Sequence, residues 1–268
     1  MKRTVSLVLA AILILGMAFA VTACSKKEQT PTPQQTDTTK KVLKVGSETT
    51  YPPFESSSAN GQYDGFDMDL IRAIGAAEGY EVQIQSLGFD ALIPAVNAGK
   101  IDCAISAMTI NDERKQSVDF SDPYFNAGLI IAVAENDTTI KSLDDLKGKR
   151  LAAEVGTTGK AASDAVKAKD PKTTVKTFDS VGEAFMELEK GGVDAVINDR
   201  PVTDYYVKNA EKGKVKMVGE EFSIDAQYGI PVKKGNTAII KVINDGLAKI
   251  KANGEYQKIY DKWFGAAK

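Results

Sequence analysis

The stretch GKIDCAISAMTINDER, residues 99–114, changes character halfway along. Its first half, 101–108, is a short apolar run entered by a Gly-Lys turn, the pattern of a buried strand in a mostly parallel sheet. Its second half, 109–114, carries a hydroxyl, an amide, two carboxylates and a guanidinium. Ligands of open α/β sheets sit beyond the carboxyl ends of the strands. Ser106, Thr109 and Arg114 are therefore expected where a ligand is held. An arginine fork beside hydroxyls suits a carboxylate, because two parallel charge-assisted hydrogen bonds fix its plane. The alternative is a surface ion pair of Arg114 with Asp112 or Glu113.

A second copy of the pattern favours the ligand. GVDAVIND, residues 192–199, repeats the order Gly, apolar, Asp, then an apolar run ending in polar groups. A helical pattern precedes each copy: Phe89, Leu92, Ile93 and Val96 before the first, Val181, Phe185 and Leu188 before the second. Two related α/β halves imply two lobes. One offers Arg114 and the other Asp199, a cation and an anion matching the two ends of a free amino acid.

The 268 residues allow one or two domains with a real core. A net charge of −2 gives no reason to expect nucleic acid. The sequence has no histidine, which removes Ser-His-Asp and Cys-His nucleophile arrangements and histidine metal sites. Its two cysteines are too few for a multi-cysteine zinc site, so no metal and no cofactor is expected. Residues 1–24 read as a signal segment: Lys2 and Arg3 precede an apolar run, and Val21-Thr22-Ala23-Cys24 ends it. This ending resembles the bacterial lipobox, whose Cys becomes acylated. Residues 25–40 hold no aliphatic or aromatic side chain and read as a disordered tether. Cys103, inside the expected strand, reads as a small buried hydrophobe.

From residue 41 onward, VLKV (42–45) is a strand ending at Glu48. The double proline of 49–54 forbids a helix and makes a stiff loop, placing Glu48, Tyr51 and Phe54 near a cleft rim. Asp67 is expected to cap a helix carrying Leu70, Ile71 and Ile74. Residues 81–85 alternate as a strand, and 89–96 form a helix. The polar stretch 135–147 marks entry into a second lobe. There RLAAE (150–154) is a strand leading through Val155-Gly156-Thr157-Thr158-Gly159 into an Ala-rich helix. Such a turn presents free N–H groups and a positive dipole end, a second clamp for a carboxylate. It lacks the ending of a phosphate-binding P-loop. QYGIPV (227–232) is a strand returning to the first lobe, followed by an amphipathic helix over 238–253 and an aromatic one over 256–264.

With those residues placed, the chain resembles the polar amino acid-binding proteins of the ABC-transporter solute-binding class, family 3, among them glutamine-, histidine- and lysine/arginine-binding proteins. The matching pieces are YPPFE, GFDMDL, FDALIPAV, AISAMTINDERK, VDFSDPYF, SLDDLKGK, GTTG, VDAVIND, QYGIPVKKG and NGEYQKIYDKWFG, in order across about residues 42–265. The resemblance implies an α/β, two-lobed periplasmic-binding-protein-like fold. Each lobe would be a mostly parallel sheet flanked by helices, with lobe 1 at 41–124 plus 228–268 and lobe 2 at 129–223. A two-strand hinge near 124–128 and 223–227 would join them.

It implies that Arg114 holds the α-carboxylate, helped by Thr109, Thr157 and Thr158. Asp199 would take the α-ammonium with help from Ser106, and Ala107 is a wall residue. Tyr51 and Phe89 would sandwich the ligand side chain, Glu48 would be an acidic wall, and Glu154 and Asn198 would bear on specificity. With two carboxylates and two rings, the expected ligand is arginine or lysine, with glutamine or histidine the alternative. The expected partners are a free L-amino acid, a membrane-embedded ABC permease, and the bilayer through acylated Cys24. The receptor is expected to be a monomer outside the cytoplasm, on the outer face of the cytoplasmic membrane or in the periplasm. It is not expected to be an enzyme; a dehydratase on a similar fold is the competing reading.

Overall fold

The computed structural model describes residues 41–209 and 214–265; the signal segment, the tether and Cys24 lie outside them. The first strand, β1 (Lys41–Ser47), covers the expected VLKV. The double-proline stretch is more than a loop: β2 (Thr50–Tyr51), β3 (Glu55–Ser57) and β4 (Tyr63–Asp64) form a small antiparallel meander. Pro52 and Pro53 occupy its turn, where no ladder N–H is needed. α1 (Phe66–Ala77) buries Met68, Leu70, Ile71 and Ile74. Its cap is Gly65, at φ +142°, where a Cβ would come within 2.0 Å of the Phe54 carbonyl. Asp67, expected as the cap, is instead fully buried in the first turn.

β5 (Tyr80–Ser86) and α2 (Phe89–Asn97) follow as expected. The strand expected over 101–108 is reduced to β6 (Cys103–Ala104). Ile105 still donates to the Gly46 carbonyl, but Ala107 takes φ +44°, which no strand accommodates, and the apolar run stays buried without a ladder. Then come α3 (Asp112–Ser117), β7 (Val118–Phe120) and β8 (Phe125–Asn126).

β9 (Leu129–Ala134) already belongs to the second sheet, so the composition change at 135–147 marks the new lobe late. The connecting segment is itself short strand, and strand-to-strand continuity leaves no polar stretch to read. A 3₁₀ turn (Leu143–Leu146) leads to β10 (Arg150–Glu154), α4 (Thr158–Lys169), β11 (Thr174–Phe178), α5 (Val181–Glu189), β12 (Ala195–Asp199), α6 (Arg200–Asn209) and β13 (Val215–Phe222). The return expected as one strand is two, β14 (Gln227–Tyr228) and β15 (Pro231–Lys233), followed by α7 (Thr237–Ala252) and α8 (Glu255–Phe264).

The two sheets share one plan. Their orders are β5-β1-β6-β15-β7 and β11-β10-β12-β9-β13. In each, a β-α-β-α-β unit places its first strand between the other two, all parallel. In each, the fourth position is an antiparallel strand, β15 or β9. β8 and β14 pair with each other between the sheets. An aromatic cluster packs against this ribbon: Phe125 lies 4.9 Å from Phe54 and 5.1 Å from Phe264 of α8.

Candidate functional site

A small cavity lies where the strand ends of both lobes converge. Ten of the residues expected from sequence line it. Tyr51, Phe89, Ser106, Ala107, Thr109 and Arg114 come from the first lobe, and Glu154, Thr157, Thr158 and Asp199 from the second. Glu48 and Asn198 are buried but do not line it. Glu48 accepts from the Thr50 hydroxyl, and Asn198 Oδ1 accepts from Tyr51 Oη at 2.8 Å.

Arg114 stands on α3, whose cap, Asn111, accepts from the Arg114 N–H at 2.8 Å. Its Nη1 donates to the Thr109 carbonyl (2.7 Å) and its Nη2 to the Gly156 carbonyl (2.9 Å), the latter bond crossing between lobes. The guanidinium lies 5.2 Å over the Phe89 ring centre, so Phe89 supports the arginine by a cation–π contact. The surface pair with Asp112 is not formed; that carboxylate approaches Lys115 at 3.8 Å. Burial lowers the Arg114 pKa and Asp199 opposes it, while a guanidinium stays charged throughout.

Asp199 ends β12 and is 7% exposed. Its Oδ2 accepts from Tyr228 Oη at 2.5 Å and lies 3.1 Å from Tyr51 Oη. Tyr51 has one proton and serves either Asn198 or Asp199. Burial pushes the Asp199 carboxyl up to about 6, against Tyr228, Tyr51 and Arg114, which favour its charge.

Thr157 caps α4: its hydroxyl accepts from the Lys160 N–H (3.1 Å) and donates to the Glu154 carbonyl (2.8 Å). The helix start lies at the cavity wall through Thr157 and Thr158, and the first N–H groups of a helix suit an anion. Gly159 makes this approach possible, because a Cβ there would lie 2.3 Å from the Ile197 carbonyl on β12.

Glu154 closes β10 at 2% exposure, and neither carboxylate oxygen has a hydrogen-bond partner. Lys160 pairs with Asp164 at 2.5 Å and leaves Glu154 alone. Burial, then Glu48, Asp199 and Asp90, push its carboxyl up to about 9; the nearby Val181 N–H offsets this only in part.

Beneath the wall is a group of residues with no sequence signal for a site role. Ser106 Oγ accepts from the Glu48 N–H (3.0 Å) and donates to Glu55 Oε1 (2.9 Å). Asp67 Oδ2 accepts from the Ala107 N–H and from Tyr124 Oη, both at 2.7 Å, and so holds Ala107 in its left-handed conformation. Glu55 and Asp67 meet side chain to side chain, and Glu55 Oε2 and Asp67 Oδ1 are buried without other partners. One proton between them satisfies both oxygens. Burial raises both acids, Asp67 to about 7 and Glu55 well above its ordinary range. Asp67 resembled a cap because acidic residues open helices. Tyr228 sits in an ordinary strand sequence, and nothing local marks it as the partner of Asp199. Cys103 is buried and free, and burial pushes its thiol up.

Residues 43–266 match the family described as Bacterial extracellular solute-binding proteins, family 3. A probable histidine-binding protein of Neisseria gonorrhoeae is 39% identical over 227 residues, 84% of this chain and 83% of that protein. ABC transporter arginine-binding protein 1 of Escherichia coli (strain K12) is 38% identical over 228 residues, 83% of this chain and 90% of that one. A solved structure of an ancestral arginine-binding protein bound to arginine is 47% identical, with a TM-score of 0.80, over 84% of this chain and 98% of that one. The chain belongs to the bacterial extracellular solute-binding proteins, family 3.

Proposed function

We propose that this protein is the receptor of an ABC importer. It captures a free L-amino acid with a cationic side chain, arginine or lysine, and presents it to a membrane-embedded permease. The observation that carries the ligand class is Glu154, a buried carboxyl on the cavity wall with no partner of its own. Glu48, behind the wall in the opposite lobe, adds to the negative field at Glu154, and a cation is the group that would satisfy that carboxylate. Arg114 and the start of α4 take the α-carboxylate, with Thr109 beside them. Asp199 takes the α-ammonium. The Ser106 hydroxyl is already engaged, so that residue contributes through its carbonyl.

Lobe 1 is 41–124 plus 228–268 and lobe 2 is 129–223, with the β8–β14 ribbon as hinge. Each lobe holds part of the charge set, so closure completes the site and traps the ligand. Acylated Cys24 and the tether keep the receptor at the membrane. Calorimetric titration with arginine, lysine, histidine and glutamine tests the ligand. Arginine or lysine should bind tightest. Tightest binding of glutamine, with Glu154→Gln leaving arginine affinity unchanged, sinks the cationic reading.

A further inference from the structure

The cavity wall has an unbalanced charge set. Arg114 is the cation that lines it, and its guanidinium is already hydrogen-bonded to the Thr109 and Gly156 carbonyls and lies under the influence of Asp199. Against it stand Glu154 and Asp199 on the wall and Glu48 behind. The groups that face Glu154 are all acidic or neutral. Glu48 approaches from the first lobe after β1, Asp90 from α2, Asp199 from β12 and Val181 from the start of α5. The phenols of Tyr51 on β2 and Tyr206 on α6 also lie within its field. The lysine nearest in sequence, Lys160, is turned to Asp164. A carboxylate this buried, with no cation and no donor beyond the Val181 N–H, which offsets its burial only in part, favours the neutral acid.

We propose that Glu154 is protonated in the ligand-free cavity and releases that proton when a cationic side chain enters, so that uptake of arginine is a cation-for-proton exchange. The O–H bond of the carboxylic acid breaks, the proton passes to the buffer base outside, and the carboxylate left behind pairs with the guanidinium. The charge of the wall together with the bound side chain is then the same as that of the empty wall. The exchange rests on the cationic reading above and adds a consequence to it. A neutral carboxylic acid at this position is a donor and an acceptor, which suits an amide side chain. Lower pH therefore favours a glutamine-like ligand and higher pH an arginine-like one.

The experiment is calorimetric titration of arginine into the full mature chain at pH 7.5, in phosphate and in Tris, which differ in ionisation enthalpy. The difference in observed heat counts protons released. Wild type should release about one per arginine bound, and its affinity should rise by about tenfold per pH unit between 7 and 8.5. Glu154→Gln, which mimics the protonated acid and keeps its shape, should release almost none and bind arginine with a flat pH profile. Glutamine, which shares both backbone charges, serves as the reference for groups at the ligand's α-end. If arginine binds wild type without proton release, the exchange is wrong and the cationic reading stands. Release that survives in Glu154→Gln also overturns it, by locating the proton elsewhere. If arginine does not bind, both fall.

Discussion

Arg114 and Asp199 do different physical work at the two ends of the cavity. Arg114 is braced within its own lobe by the Thr109 carbonyl and the Phe89 ring, so its position is set before a carboxylate arrives. Replacing it by Ala should weaken amino acid binding by about 2–5 kcal/mol while the far-ultraviolet dichroism stays that of wild type. Binding within a few-fold of wild type would remove Arg114 from the site. Asp199 must be ionised to take an ammonium, and burial has raised its carboxyl to about 6. Protonation competes with the ligand below that value. Affinity for glutamine, whose binding leaves the Glu154 proton in place, should therefore fall as pH drops from 7 through 6 to 5, and Asp199→Asn should bind it weakly with no such fall. An acid limb that survives in Asp199→Asn would assign it to another group.

At the scale of elements, the second lobe's carboxylate clamp depends on how close α4 comes to β12. Gly159 sits in the first turn of α4, against the Ile197 carbonyl. Gly159→Ala must push the helix start away from a backbone atom, which cannot yield as a side-chain tip does. The expected loss is on the order of 1–3 kcal/mol of stability, read from urea melts, with weaker ligand binding measured in parallel. An unchanged melt would mean that the helix shifts freely and that the close approach is incidental. This element was legible in sequence: Gly156-Thr157-Thr158-Gly159 after RLAAE read as a strand running into a helix start. The 101–108 stretch was misread for an equally physical reason. Apolar residues at strand spacing report burial, and Ile105–Met108 are buried. What removes them from the ladder is Asp67 holding the Ala107 N–H, a bond from 40 residues away in sequence.

For the whole molecule, the two sheets repeat one plan, and the β8–β14 ribbon crosses between them against an aromatic cluster that reaches α8. The terminal aromatic helix is thus part of the packing around the ribbon. Cys24 is the proposed anchor that keeps the receptor at the membrane. Cys24→Ser should move the protein from the membrane fraction to the soluble extracytoplasmic fraction, as followed by immunoblot after fractionation. Unchanged membrane association would exclude the lipid anchor.

The repeated turn-helix-strand grammar, its glycine-led turns and its polar strand ends belong to the sequence, because each is local: periodicity selects the element and its buried face. That pattern puts Tyr51, Ser106, Thr109, Arg114, Thr157, Thr158 and Asp199 beside a cleft, and the resemblance to the solute-binding family adds Phe89, Ala107 and Glu154. The partners of those residues belong to the tertiary structure. Tyr228 meets Asp199 across 29 positions, Tyr51 meets Asn198 across 147, and Glu55 meets Ser106 across 51. The same is true of the isolation of Glu154 from any cation, because the segments packed around it bring Glu48, Asp90 and Asp199 and one backbone N–H, that of Val181. Local pattern fixes which way a side chain points, but its hydrogen-bond partners and its exposure to water are set by segments distant in sequence, and these decide its charge.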